Sequence, residues 1–219
     1  MLWHIPTKFI KRTSIPFLID INTIFKMEYT TLSNEKEEIE GPLLLTPNVF
    51  NDERGYFYES WNEKIFNSIL GKEVRFKQDN ISHSIKGVLR GLHYQLKPES
   101  QGKLVRCSYG SIFDVAVDIR KESKTFGKWL SAELSSENKK QLWIPVGFAH
   151  GFLTISDHAE VNYKATGFWN KDCEHSIRWN DKDLKITWPI KEFGFEPVIN
   201  EKDASAPFLK ESIMKGNIF

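Results

Sequence analysis

No long stretch of this chain repeats its apolar residues with a helical period; from about residue 43 they come in short runs broken by turn residues. Alternation at period two marks a strand whose two faces meet different surroundings. LLLTPNVF leads into the polar turn NDERG, and YFYESW then sends Phe57 and Glu59 to one face and Tyr56, Tyr58 and Ser60 to the other. KLVRCSYGSIFDVAVDIR reads as two strands joined at Tyr109 and Gly110. In the second of them Phe113, Val115, Val117 and Ile119 point one way, and Asp114, Ala116 and Asp118 the other. KWLSAELS, QLWIPVGFAHGFLTIS and AEVNYKATGFW continue the pattern. One short helix is predicted over 61–70, where Ser60 and Glu63 have capping-box spacing and Gly71 supplies a stop. Many short strands with few short helices predict an all-β, closed antiparallel architecture, a sandwich or jelly roll whose mouth can hold a ligand.

A chain of 219 residues fits one such domain, assigned to residues 27–219. Its formal net charge of +1 gives no reason to expect a nucleic-acid or membrane partner. The 16 Phe, 7 Trp and 6 Tyr favour strands and ring-lined cavities. Cys107 and Cys173 share no close metal spacing, and reduced thiols in a cytoplasm are expected. Residues 1–26 read as an N-terminal appendage or an upstream start, with the working protein beginning at Met27. Their apolar run IPFLIDINTIF is too short and interrupted to span a bilayer, and no small-x-small cleavage site follows it.

Two histidines sit in otherwise apolar strands: His93 in GVLRGLHYQ and His150 in WIPVGFAHGF. The spacing of Gly87 to His93, and of Pro145, Gly147 and His150, resembles the metal-binding cupins, a jelly-roll superfamily. Where that motif supplies its next ligand, two residues after His93, this chain has Gln95. Two imidazoles without clustered third and fourth ligands make a poor divalent site, so no metal is expected. A barrel without metal can still move protons, given a base near neutral pKa, a group to orient it, a cation and an acid. His93 suits the base, Lys103 the cation, Tyr163 the acid and Asp203 the orienting carboxylate. Taken singly, each has a bland reading as a surface or packing residue, and Gln78 and Asn80, sharing a face with Phe76, read as polar exterior. Spacing alone does not gather them.

The segments NDERGYFYES, FKQDNISHS, GVLRGLHYQ, QGKLVRC, IPVGFAHGF, YKAT, EHSIRWND and NEKD, in this order and spacing, resemble the dTDP-4-dehydrorhamnose 3,5-epimerases over roughly residues 40 to 210. The resemblance implies a cupin jelly-roll barrel, assembled as a homodimer that shares strands between subunits. It implies inversion of C3 and C5 of a dTDP-4-keto-6-deoxyhexose, without metal or redox cofactor, on the route to dTDP-L-rhamnose. By the same resemblance His93 and Asp203 are the base dyad, Lys103 stabilises the enolate, and Tyr163 returns a proton from the opposite face. Arg54, Phe57, Glu59, Gln78, Asn80, Arg90, His150, Trp169, Glu174 and Lys202 fall in the nucleotide-sugar site. After YK-x-T the family commonly shows two adjacent tyrosines; here Phe168 and Trp169 keep the aromatic shape and lose a phenol hydroxyl. The alternatives are an epimerase acting at one centre, a non-catalytic sugar-nucleotide binder and a metal-dependent cupin. A pure binder has no need of both a base and a facing acid, and Gln95 disfavours the metal enzyme.

Overall fold

The computed structural model describes residues 27–34, 37–194 and 196–219. The strands are β1 (Glu28–Asn34), β2 (Glu37–Thr46), β3 (Phe50–Asp52), β4 (Gly55–Phe57), β5 (Gln78–Ile85), β6 (Leu89–Gln95), β7 (Lys103–Tyr109), β8 (Ser111–Asp118), β9 (Trp129–Ser135), β10 (Gln141–Ile144), β11 (Phe148–Thr154), β12 (His158–Ala165) and β13 (Glu174–Ser176). Short helices α1 (Glu63–Leu70), α2 (Ile190–Phe193), α3 (Glu201–Ala204) and α4 (Leu209–Met214) complete the elements. Two antiparallel sheets face each other, one ordered β1-β2-β10-β7-β12-β5 and the other β13-β6-β11-β8-β9, while β3 and β4 form a separate hairpin. This is the all-β jelly-roll sandwich that the short strands predict.

The two sheets bury a common interior. Val105, Leu142, Ile144 and Val161 come from one sheet and Ile112, Ala116, Leu130, Leu134, Phe148 and Phe152 from the other. Each Val, Leu, Ile or Phe among them contributes about 1.5–3 kcal/mol by leaving water. The outer face of the five-stranded sheet is covered as well. Leu92, Val115, Val117, Ile119 and Ala149 pack there against Ile177, Leu184 and Leu209 of the C-terminal segment. That second layer explains why β8 and β11 are buried almost throughout, whereas β5 alternates between exposed and half-buried positions along an edge.

Chain neighbours β7 and β8 belong to different sheets, so the link at residue 110 turns a corner between layers. Gly110 has φ of 71°, and a Cβ there would sit 1.9 Å from the carbonyl oxygen of His158, so no other residue fits. Helix α1 begins later than predicted: Asn62, not Ser60, is the cap, its Oδ1 accepting from the backbone of Lys64 and Ile65 at 3.1 and 3.3 Å. Ser60 lies outside the helix, where its carbonyl accepts from Gln141 at 2.6 Å. The helix buries Phe66 edge-on against Trp143, ring centres 5.2 Å apart, over the outer face of the six-stranded sheet. The appendage expected over residues 1–26 lies outside the described residues; Met27, where the working chain is expected to begin, is buried in that same cluster. Cys107 and Cys173 are free thiols. Among the described residues no helix is long and apolar enough to cross a membrane.

Candidate active site

His93 lies on β6, opposite His150 of β11 on one side and Ser176 of β13 on the other. Directly opposed residues of an antiparallel pair share a face. His150 in turn opposes Ala116, which belongs to the interior, so His93, His150 and Asp114 all face into the barrel. From the facing sheet, Tyr163 of β12 packs against that interior and opposes Asn80 of β5. Lys103, two residues before Val105 on β7, has the same orientation. The candidate base therefore comes from one sheet, and the candidate acid and cation from the other.

Asp203 arrives from α3, 110 positions along the chain, and accepts from His93 Nε2 at 2.6 Å and from the Gly91 backbone N–H at 3.1 Å. Asn200 caps α3 and fixes this carboxylate, accepting from the Asp203 N–H at 2.7 Å. Asp203 has no exposed surface. Burial alone raises its pKa, but the His93 hydrogen bond and charge and the Gly91 N–H outweigh that and hold it below the usual carboxylate range. An ionised Asp203 fixes the proton of neutral His93 on Nε2 and leaves the lone pair on Nδ1, the arrangement a base requires. Gly91 also lets β6 and β11 run close together here. Its φ is 130°, and a Cβ would lie 2.5 Å from the Cα of Gly151 across the β6–β11 pair.

Lys103 is only 9% exposed, and its Nζ donates to the His93 carbonyl at 3.4 Å and lies 5.9 Å from the Tyr163 ring centre. Burial pulls its pKa down to about 8, opposed by the negative charges of Asp114 and Glu174. Burial also raises the Tyr163 pKa, which Arg90 lowers and Glu174 supports, so the phenol keeps its proton at neutral pH. His150 Nε2 lies 3.0 and 3.1 Å from the two Asp114 oxygens, and both side chains are buried.

The mouth is framed by the remaining candidates. Gln78 donates to Asn80 at 2.8 Å and accepts from the Trp169 backbone N–H at 2.8 Å. These two amides are not polar exterior: they share the interior face with Tyr163 at a half-open edge, while Phe76, just ahead of β5, packs under α1 instead. Arg90 ties the two sheets across the mouth, donating to Ser84 Oγ at 3.1 Å and to the His83 carbonyl at 3.3 Å. Glu174 accepts from Lys202 Nζ at 2.6 Å. Burial tends to raise the Glu174 pKa, and the Lys202 bond and charge, with lesser help from His93 and Trp169, hold it low.

The structure does not bring every candidate to this mouth. On the detached β3–β4 hairpin the Arg54 guanidinium is engaged by Asp52, Phe57 is 62% exposed, and beyond the hairpin Glu59 accepts from Asn62 at 3.3 Å. No described hydrogen bond or ion pair joins these three to the His93 cluster. Gln95 is buried and wholly occupied, donating to the Glu99 and Phe168 carbonyls and accepting from the Asn170 N–H. It anchors the loop that carries Trp169. Among the described residues no three His, Cys, Asp or Glu side chains gather as a metal-binding group. Two grooves, of about 870 and 1020 Å³, open beside the C-terminal segment and contain none of the candidate residues. Sequence reasoning passed over Asp114, whose signal is a carboxylate between the apolar residues Phe113 and Val115 in the middle of a strand.

The family model for dTDP-4-dehydrorhamnose 3,5-epimerase matches residues 36–211. A dTDP-4-dehydrorhamnose 3,5-epimerase of Salmonella typhimurium is 53% identical over 179 residues, 82% of this chain and 96% of that protein. A Legionella pneumophila dTDP-6-deoxy-D-glucose-3,5-epimerase, crystallised with dTDP-4-keto-L-rhamnose, superposes with a TM-score of 0.76 at 45% identity, covering 84% of this chain and 94% of that one. A 3′-monoepimerase of Streptomyces bikiniensis, in complex with dTDP-quinovose, superposes with a TM-score of 0.77 at 32% identity, covering 82% of this chain and 89% of that one.

Proposed function

The chain belongs to the dTDP-4-dehydrorhamnose 3,5-epimerase family, and from that premise we propose how its barrel converts dTDP-4-dehydro-6-deoxy-D-glucose to dTDP-4-dehydro-L-rhamnose. The enzyme is an isomerase of dTDP-L-rhamnose biosynthesis. The hydrogens on C3 and C5 are acidic because loss of either leaves an enolate delocalised onto the C4 ketone oxygen. His93 Nδ1 takes the proton, and buried Asp203 stabilises the imidazolium that forms. The Lys103 ammonium stands against the charge that develops on the C4 oxygen. Tyr163 then delivers a proton to the opposite face of the same carbon, which inverts it; repetition at the second carbon completes the epimerisation. General acid–base steps of this kind are each worth about 10²–10⁴-fold in rate.

One observation carries this reading: base and phenol project from facing sheets, with Lys103 within reach of both. A sugar ring lying between the sheets would expose one face to each. Gln78, Asn80, Arg90, His150, Trp169, Glu174 and Lys202 are proposed to hold the nucleotide sugar, with arginine suited to bidentate contact with a phosphate. The second reading, an enzyme inverting one centre, draws on the Phe168 and Trp169 pair and on the likeness to the monoepimerase.

We propose a homodimer as well. The detached hairpin bears exposed Tyr56 and Phe57, and its Arg54, with Glu59 just beyond, would complete the mouth of a second copy. Sedimentation of the purified protein tests this, and a monomer at micromolar concentration rejects it. The two free, buried thiols suit the reducing cytoplasm.

The deciding experiment is isotope exchange. With dTDP-4-keto-6-deoxyglucose in heavy water, deuterium is expected at C3 and C5 of an L-rhamno product, and His93→Ala is expected to abolish incorporation while staying folded. Label at C3 alone would establish the single-centre enzyme; none at either carbon would sink both readings.

A further inference from the structure

The proton transfers described above leave one buried ionisable pair unused. Asp114 has no exposed surface, lies in the middle of β8, and faces the same interior as His93, Lys103 and Tyr163. An unpaired carboxylate there would be costly, and the structure gives it one hydrogen-bonding partner, His150, on both oxygens. The nearby cation is Lys103, itself buried and holding only one described hydrogen bond, a long one to the His93 carbonyl. Around Lys103 the barrel arranges Asp114 from β8, His150 from β11, His93 from β6, Glu174 from β13 and Tyr163 from β12, while β10 contributes no titratable group. Glu174 is already paired with a cation, Lys202, whereas Asp114 is met only by the His150 ring, which leaves Asp114 as the counter-ion to Lys103.

We propose that Asp114 is a positioning residue that keeps the Lys103 ammonium charged beside His93 and fixes the proton of the neutral His150 ring on Nε2. A buried lysine that lost this counter-charge would surrender its proton near neutral pH and could no longer face a developing enolate as a cation. An imidazole that donates to Asp114 through Nε2 presents only its Nδ1 lone pair elsewhere, so His150 accepts hydrogen bonds and adds no second positive charge beside Lys103. Neutrality itself comes from burial, which lowers the His150 pKa against the pull of the Asp114 charge, while the hydrogen bond to Asp114 settles which nitrogen carries the proton.

This inference rests on Lys103 acting as the enolate-stabilising cation, and the test separates the two. In protein labelled with ¹³C at lysine Cε, Lys103 is titrated directly in wild type and in Asp114→Asn, alongside the pH profile of kcat/KM. Removing a neighbouring opposite charge is expected to move the Lys103 midpoint down by about one to three pH units. The alkaline limb of activity should move with it, so that the variant loses tenfold or more at pH 8 relative to its own acid plateau. Asp114→Glu, which restores the charge, should recover most of the shift. A midpoint that falls while the alkaline limb stays in place supports the Asp114 inference and overturns the role given to Lys103. An unmoved midpoint, or equal loss of activity at every pH, overturns the inference. Should Asp114→Asn not fold, ¹⁵N spectra of the wild-type protein decide: His150 is expected to stay neutral below the ordinary imidazole range, with its proton on Nε2. A His150 that titrates near pH ~6.5 like a free imidazole, or carries its proton on Nδ1, overturns the inference.

Discussion

Lys103→Met should make this protein more stable and nearly inactive. A lysine that prefers 10.5 in water and is drawn down to about 8 here disfavours its own charged form. At about 1.4 kcal/mol per pH unit, that preference corresponds to about 3 kcal/mol at pH 7, net of the attraction from Asp114 and Glu174. Methionine has similar length and no charge to desolvate, so most of that cost should be recovered, about 1–3 kcal/mol after repacking. The sign of the pH dependence follows from proton binding. Between pH 8 and 10.5 the unfolded chain keeps a proton that the folded chain has released, so wild-type stability rises with pH across that window. The advantage of Lys103→Met should therefore be full below pH 8 and fade toward pH 10.5. Urea unfolding at fixed protein concentration, at pH 7, 8, 9 and 10, reads this directly, since a change in midpoint with an unchanged slope is a change in stability. A variant less stable than wild type at pH 7, or a difference that does not vary with pH, would refute the reasoning. It would mean that Lys103 is paired well enough to stabilise the fold.

Tyr163→Phe keeps the ring and removes the proton donor. Deuterium should still enter the recovered substrate at near the wild-type rate while formation of the inverted product falls about 100-fold; equal loss of both would show that the phenol takes part in abstraction too. Gly91→Ala should cost about 3 kcal/mol or more, because a methyl group 2.5 Å from the Gly151 Cα forces β6 and β11 apart. An unchanged urea midpoint would show that the pair has room to spare.

The sequence by itself was enough for the fold class. Short period-two runs and turn residues specify strands through local backbone preference and one-sided burial, and these act over a few positions. It was also enough for the family, because eight ordered segments cannot recur in register by accident. Helix α1 was legible in its body and wrong at its start, since Asn62 and Ser60 are both good caps and only the packing of Phe66 on Trp143 selects between them. What the tertiary structure alone decided is which polar residues face inward. Asp114 and Asn80 look on paper like solvent-side residues of alternating strands. They face the interior because the C-terminal segment covers the other side of β8, and because β5 is an edge at the open mouth. Likewise nothing local joins residue 93 to residue 203. Their 2.6 Å contact exists because the chain doubles back over β6, where the Gly91 N–H meets the same carboxylate. Strand propensity is a property of neighbours along the chain, whereas a proton-transfer site is made by neighbours in space, and only packing two sheets face to face supplies those.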